Sequence, residues 1–356
     1  MMKKKFIAGL GITGRALVDY FLSQNESIIV FEDLSQERFD EVMNLNSDLI
    51  TGYYQNLPDQ IWEEVDEVLI SPGISQETDW VIEAKNNKIK MSGELEFASQ
   101  LITKKYPSSR MIAVTGTNGK STTVSLIQSI LEQSSVSSSL KGNIGSPLIT
   151  ALSEDEKDYY VVELSSFQLE TVKNFKPYIS VILNISDDHL DRYEGIQDYA
   201  LAKKNIAVNQ SQEDYYIYNA DDLYIQNLGG DIKTQKIPFS IIQELDEGSY
   251  IDKDIIAFKY EEKIDKFDRS SIPLGRIHDE NILASIAVAE LVGVSQDKIQ
   301  TALENFQGLS HRMEKVAEFA GVEFYDDSKG TNIGAVSQGL ASFDENVVLI
   351  LGGKNK

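Results

Sequence analysis

Residues 113–123 read Ala-Val-Thr-Gly-Thr-Asn-Gly-Lys-Ser-Thr-Thr and follow directly on an apolar run. Gly116 and Gly119 let the backbone turn tightly and approach an anion. Lys120 offers a point charge to phosphate, and Ser121 or Thr122 offers a hydroxyl to Mg²⁺. The segment Thr122 to Leu131 is predicted as a helix, so its positive N-terminal end faces the phosphates. The loop departs from G-x-x-x-x-G-K-[ST]: Val114 stands where the first glycine of that pattern would fall. Strand Met111–Thr115, glycine turn, lysine, hydroxyls and helix in this order predict a phosphate loop at a strand tip, and with it an α/β fold.

At 356 residues the chain is too long for one compact core, and two or three domains are expected. With 42% hydrophobic and 25% charged residues, bulk disorder is not expected. A formal net charge of −23 argues against a nucleic-acid backbone or an anionic membrane as the main partner, though not against small anions at a local site. The absence of Cys removes disulfides, thiolate metal sites and cysteine nucleophiles, and fits a reducing compartment. Lys3, Lys4 and Lys5 before Phe6–Ile12 imitate a signal peptide, but the apolar stretch is short and no small-residue cleavage site follows. It is read as a first buried strand. No apolar run approaches the roughly 20 residues of a membrane span.

Outward from the loop, three regions are expected. In 1–98, apolar strands (Phe6–Leu10, Ser27–Phe31, Glu67–Ile70) alternate with helices such as Gly14–Gln24, which implies a parallel sheet with covered faces. Gly9-Leu-Gly-Ile-Thr-Gly14 matches G-x-G-x-x-G, and Glu32 and Asp33 lie about twenty residues on. A nucleotide-diphosphate substrate, an NAD-like cofactor and a purely structural turn all satisfy that pattern. In 99–309, strands at Met111–Thr115, Tyr159–Val162, Ser180–Ile185 and Tyr215–Asn219 carry polar clusters at their carboxyl ends, and Asn281–Val292 is a helix. Strand tips are where ligand groups gather in open α/β sheets. In 310–356, strands are expected at Val322–Tyr325 and Val347–Leu351. These residues are too few for a self-sufficient domain, so the third is read as incomplete.

The clusters carry chemistry. Glu163-Leu-Ser-Ser-Phe-Gln168 offers an acid for a metal or a proton. Asn184-Ile-Ser-Asp-Asp-His-Leu-Asp-Arg-Tyr193 offers Asp188, His189 and Asp191. Lys203 and Lys204 sit in a helical run and by themselves read as solvated charges. Asp326-Asp-Ser-Lys-Gly-Thr-Asn332 packs acid, ammonium, hydroxyl and amide together, and Arg312 could bring a guanidinium to phosphate.

In this order the clusters resemble the Mur ligases: Gly9–Gly14, Ser71-Pro-Gly-Ile74, Gly116–Thr122, Gly142-Asn-Ile-Gly145, Glu163–Glu170, His189–Tyr193, Asn219-Ala-Asp-Asp222, His311-Arg-Met-Glu314 and Asp327-Ser-Lys329. The run Glu-Leu-Ser-Ser-Phe-Gln-Leu-Glu at 163–170 favours the D-glutamate-adding branch. The resemblance implies a three-domain α/β architecture: a Rossmann-like N-terminal domain for UDP, a P-loop central domain for ATP, and a C-terminal domain, here incomplete, for the amino acid. NAD is then set aside.

The implied reaction is ATP-dependent amide formation in peptidoglycan synthesis, joining D-glutamate to UDP-MurNAc-L-Ala through an acyl phosphate. The implied setting is the cytoplasm, as a monomer, without nucleic acid or membrane insertion. The implied catalytic residues are Lys120, Glu163, His189 and Lys203. ATP would meet Gly116, Thr117, Asn118, Gly119, Lys120, Ser121, Thr122, Asn281, Arg312 and Asp327. Substrates would meet Ile12, Thr13, Asp33 (or Glu32), Ser71, Gly73, Asn143, Ser165, Lys329, Thr331 and Lys356. Asn332 would join Lys329 and Thr331 at the inter-domain closure. Two Mg²⁺ ions would be held by Ser121, Glu163, His189 and Lys203, with Thr122 beside the first. Lys203 aligns with a lysine carbamylated by CO₂, which turns a cation into an oxygen-donor anion. One departure is Ile277-His278, where the family carries His-Asn before the helix that begins near Asn281. Alternative readings are a folylpolyglutamate-synthetase-like ligase and a non-catalytic nucleotide-binding fragment.

Overall fold

Successive buried residues of the first strand face two different cores. In the computed structural model, which describes residues 3–188, 192–273, 277–340, 343 and 347–352, Phe6 and Ala8 point into one cluster and Ile7 into another. The first region runs β1 (Lys4–Ala8), α1 (Ile12–Ser23), β2 (Ile28–Glu32), α2 (Gln36–Met43), β3 (Ile50–Tyr54), β4 (Val65–Ile70), α3 (Asp79–Asn86) and β5 (Lys90–Gly93). The strands form a parallel sheet in the order β3-β2-β1-β4-β5. The order reverses between β1 and β4, and their carboxyl ends carry Gly9–Gly14 and Ser71–Gly73. That switch point is where such sheets hold ligands.

The helix α4 (Glu94–Lys105) leads on to the middle region and passes through residue 98, so a helix rather than a loose linker joins the two regions. Its buried Glu96 accepts backbone hydrogen bonds from Lys173, Asn174 and Phe175 at 2.9–3.0 Å.

The middle region comprises β6 (Arg110–Thr115), α5 (Lys120–Gln133), β7 (Ser138–Gly142), β8 (Tyr159–Glu163), α6 (Ser166–Leu169), β9 (Ile179–Ile182), α7 (Ile196–Lys204), β10 (Tyr215–Asn219), α8 (Leu223–Leu228), β11 (Gln235–Ser240), β12 (Gly248–Asp252), β13 (Ile255–Tyr260), β14 (Lys263–Asp268), α9 (Asp279–Leu291) and α10 (Gln296–Asn305). Its sheet order is β14-β13-β12-β11-β10-β9-β6-β8-β7, parallel except for the antiparallel β13 and β14. Helices α5, α9 and α10 cover one face. The other face shares a continuous core with α1 and α4, which welds the two regions together. Beyond these lie an antiparallel hairpin, β15 (Glu314–Phe319) and β16 (Val322–Asp326), and α11 (Ile333–Leu340).

Three sequence expectations need correction, one being the strand expected at Ser180–Ile185, which ends at Ile182. The first strand ends at Ala8, not Leu10, because Gly9 takes φ +81° and turns the chain out of the sheet. The expected strand Val347–Leu351 does not form: residues 347–352 belong to no strand, and Val348 and Ile350 are about nine-tenths exposed. An extended run becomes a strand only where a neighbour takes its N–H and C=O groups, and among the described residues none does.

Candidate active site

The strands β6 to β12 of the middle sheet run parallel, so their carboxyl ends share one side, and five of them, β6 to β10, carry the site. The β6 tip gives the phosphate loop, with Gly116 at φ +157° and Gly119 at φ +82° as the N-cap of α5. A Cβ on Gly119 would strain this left-handed backbone and lie 2.3 Å from Asn281 Oδ1, so any side chain there would displace the Asn281 amide. Lys120 Nζ donates to the carbonyls of Gly116 and Thr117, each at 2.8 Å. Asn184, just past β9, clamps the turn: its Oδ1 accepts the Asn118 N–H at 2.8 Å and its carbonyl accepts the Thr117 N–H at 2.9 Å. Half-buried Glu280, on α9, accepts from both the Asn184 and Asn219 amides at 3.3 and 3.2 Å.

The β8 tip places Glu163 in the same space, 1% exposed. Its Oε1 accepts from Asn143 Nδ2 at 2.8 Å, from the β7 tip. Its Oε2 is buried and, among the described residues, has no hydrogen-bond partner. From α7, Lys203 Nζ reaches the Gly116 carbonyl at 2.9 Å and lies 4.4 Å from the Tyr199 ring centre. Lys203 is 1% exposed, which corrects the solvated-charge reading of that residue, whereas Lys204 is half-buried. Burial drives the Lys203 ammonium well below its ordinary range and the Lys120 charge adds to this, while Asp188 and Glu163 oppose both. Lys120 is lowered by burial too, against the pull of Glu163 and Asp188.

The third region closes the space. Arg312 donates to Ser121 Oγ at 3.2 Å, and Asn332 Nδ2 donates to Asn118 Oδ1 at 2.9 Å. The result is a cavity of about 720 Å³ lined by Thr117 through Thr122, Asn143, Glu163, Asp188, His278, Asn281, Arg312, Asp327, Lys329, Thr331 and Asn332, among others. The orphaned carboxylate oxygen of Glu163 belongs to a residue that lines the same cavity as Ser121, Thr122 and Asp188, and together these residues offer an all-oxygen donor set, which suits Mg²⁺. Of the residues expected here, His189 lies outside the described residues, as do Asp191 and Lys356.

The remaining expected residues lie elsewhere. Ser165 caps α6, its Oγ accepting the Gln168 N–H at 3.3 Å. Ile12, Thr13, Asp33, Ser71 and Gly73 gather at the strand tips of the first sheet, where Ser71 Oγ donates to the Gly9 carbonyl at 2.9 Å. Ile12 is 81% exposed at the start of α1. Glu32 is spent on structure: it is buried and accepts the N–H groups of Leu10, Asp33 and Leu34 at 2.8–3.2 Å. Asp33 is the acid left at the crevice, its carboxyl raised by burial and by the Glu32 charge.

The roles of Asn184 and Glu280 escaped the sequence reading. An Asn just beyond a strand, facing a loop 66 residues earlier, carries no local signal.

Comparison with known proteins agrees with this geometry. Residues 3–93 match the Mur ligase MurD-like N-terminal domain, and residues 114–289 match the Mur ligase middle domain. The UDP-N-acetylmuramoylalanine--D-glutamate ligase of Geotalea daltonii is 37% identical over 357 residues, 99% of this chain and 78% of that protein. Its namesake from Thermoanaerobacter pseudethanolicus is 39% identical over 362 residues, with the same coverage. Among solved structures, MurF from Acinetobacter baumannii superposes with a TM-score of 0.59 at 19% identity, covering 96% of this chain and 71% of that one. MurC from Thermotoga maritima gives 0.52 at 20% identity, covering 92% and 74%. The chain belongs to the UDP-N-acetylmuramoylalanine--D-glutamate ligase family of the Mur ligases.

Proposed function

We propose that the chain joins D-glutamate to UDP-N-acetylmuramoyl-L-alanine with cleavage of ATP to ADP and phosphate, in peptidoglycan synthesis. The observation that carries this reading is the meeting of Lys120, Glu163 and Lys203 around one phosphate loop, next to a cavity that the third region closes. The substrate carboxylate attacks the γ-phosphate to give an acyl phosphate and ADP. The D-glutamate amine then displaces phosphate. Both first-step reactants are anions, so alignment and charge neutralisation dominate the barrier.

Each residue has a task in this scheme. Lys120 and the amides at the start of α5 cradle the phosphates. Arg312 and Asp327 reach ATP from the third region, and Asn281 from α9. Ile12, Thr13, Asp33, Ser71 and Gly73 hold the UDP part, and Asn143 and Ser165 the muramoyl part. Lys329, Thr331 and Lys356 serve the amino acid and domain closure. Ser121, Thr122 and Glu163 would hold one Mg²⁺, with His189 and Lys203 expected at a second. When bound, the ions would offset negative charge between carboxylate and triphosphate.

Lys203 takes up CO₂ in this reading: the neutral amine forms an N–C bond, loses a proton and becomes a carbamate. Supporting it are the burial of the amine and its lowered basicity, since only the neutral form reacts. The three regions 1–98, 99–309 and 310–356 act as the UDP, ATP and amino-acid parts of one cytoplasmic monomer. No helix among the described residues is long and apolar enough to cross a membrane.

The test supplies purified protein with UDP-N-acetylmuramoyl-L-alanine, ATP and D-glutamate. ADP release that needs both other substrates is expected. Release with a folate and glutamate instead would favour the folylpolyglutamate-synthetase-like alternative, and binding without release a nucleotide-binding fragment.

A further inference from the structure

Two segments singled out in the sequence, 163–170 and 189–193, end in residues that the proposed chemistry leaves without a task. Glu170, Arg192 and Tyr193 meet in the structure. Arg192 Nη2 donates to Glu170 Oε2 at 2.6 Å, and Tyr193 OH donates to Glu170 Oε1 at 2.6 Å. The Arg192 guanidinium lies 4.3 Å from the Phe167 ring centre, and Phe167 stacks on Tyr193 at 6.2 Å. So Glu170 is held at both oxygens and Arg192 by both charge and ring, a fork that lysine cannot reproduce.

The other arm of the fork leaves the middle region. Arg192 Nη1 donates to the carbonyl of Pro72 at 3.1 Å, 120 residues away in sequence. Pro72 lies between Ser71 and Gly73, on the loop that closes the first-region crevice over Gly9. On the inner side, Tyr193 packs 5.3 Å from Tyr199, the ring beneath Lys203. A continuous set of contacts therefore runs from the crevice loop to the phosphate loop. It is not what holds the regions together: α4 and the shared core do that, and the Arg192 side chain is about a quarter exposed.

We propose that Arg192, braced by Glu170, is a positioning residue that sets the register of the Ser71-Pro72-Gly73 loop against the phosphate loop. A ligand that spans both regions then reaches ATP in line. This rests on the function proposed above. It concerns the long substrate alone: UDP by itself sits in the first region, and ATP by itself in the middle one.

The test is titration calorimetry of the full chain and of Arg192→Ala, Arg192→Lys and Glu170→Gln, with UDP-N-acetylmuramoyl-L-alanine, UDP and ATP in separate runs, alongside thermal melting. The expected result is about 10-fold or greater loss of affinity for the long substrate in Arg192→Ala, from one charge-assisted hydrogen bond. Arg192→Lys should behave like alanine, Glu170→Gln should show a smaller loss, and UDP and ATP should stay within about twofold. Equal affinities in all variants would overturn the proposal. So would parallel losses for all three ligands together with a lower melting temperature, which is the mark of a merely structural contact. Failure of the unaltered chain to bind the long substrate would instead overturn the proposed function.

Discussion

Lys120 and Lys203 donate to the same atom, the Gly116 carbonyl oxygen, at 2.8 and 2.9 Å. Two lysine amines, one half-buried and one buried, share one acceptor, and the cost falls on Lys203, whose basicity is lowered by burial first and by Lys120 second. Stability and function therefore pull apart here. Lys203→Met should abolish most turnover yet raise the unfolding free energy by about 1–3 kcal/mol, since a buried amine held against its ordinary basicity gives way to an apolar chain of similar length. Lys203→Ala should lose most activity and recover part of it with short carboxylic acids. Denaturant melts and ADP-release rates, with and without acetate, check both. A fully active Lys203→Ala without additives would remove the lysine from the mechanism.

Glu163 is the buried acid at the loop, and its Oε2 has no hydrogen-bond partner among the described residues. Glu163→Gln keeps the size and the acceptor for Asn143 while removing the charge. The expected outcome is a fall in kcat of about 100-fold or more with little change in melting temperature. The Mg²⁺ concentration for half-maximal activity should rise. An unchanged Mg²⁺ dependence would place the ion elsewhere.

How far the sequence went depended on whether the signal was local. The phosphate loop, the β1 turn and the acid at the β8 tip were legible because each lies within a few residues of an apolar run that must be a strand. Lys203 was legible only through family likeness: helical spacing alone makes it a solvated charge, and its burial comes from Gly116 and Tyr199. Glu32 and Asp33 could not be separated by pattern, since which one turns inward depends on the amides of Leu10 and Leu34. The contact between Arg192 and Pro72 leaves no trace in either segment. The apolar run Val347–Leu351 has strand composition, but composition does not supply the partner a strand needs.

The tight β1 turn offers a paired test. A Cβ at Gly14 would lie 1.9 Å from the Gly9 carbonyl oxygen, within backbone that cannot step aside, whereas nothing lies within 4 Å of one at Gly73. Gly14→Ala should cost about 3 kcal/mol or more of stability, and Gly73→Ala less than about 0.5 kcal/mol. If Gly73 touches the UDP part, its alanine variant loses affinity for the long substrate at an unchanged melting temperature. Chemical denaturation paired with calorimetry separates the two effects.

Glu94, at the start of α4, is fully buried and accepts the Ile149 N–H at 2.6 Å across the joint between the regions. Burial raises its carboxyl to about 7, against the opposing effect of the Ile149 and Leu148 amides. The folded chain therefore holds this proton more tightly than the unfolded chain, whose carboxyl titrates near 4.5. The stabilisation is fully present below pH 4.5 and drains away as pH rises to about 7. At 1.36 kcal/mol per unit the loss is about 3 kcal/mol. Glu94→Gln cannot titrate. How its amide NH₂ is accommodated sets a constant offset, but the pH dependence of the difference belongs to Glu94 alone. Unfolding free energies of the two proteins, measured from pH 5 to pH 8, should diverge in favour of the variant as pH rises. Parallel curves across that range would mean that Glu94 is ionised at its ordinary value in the folded chain.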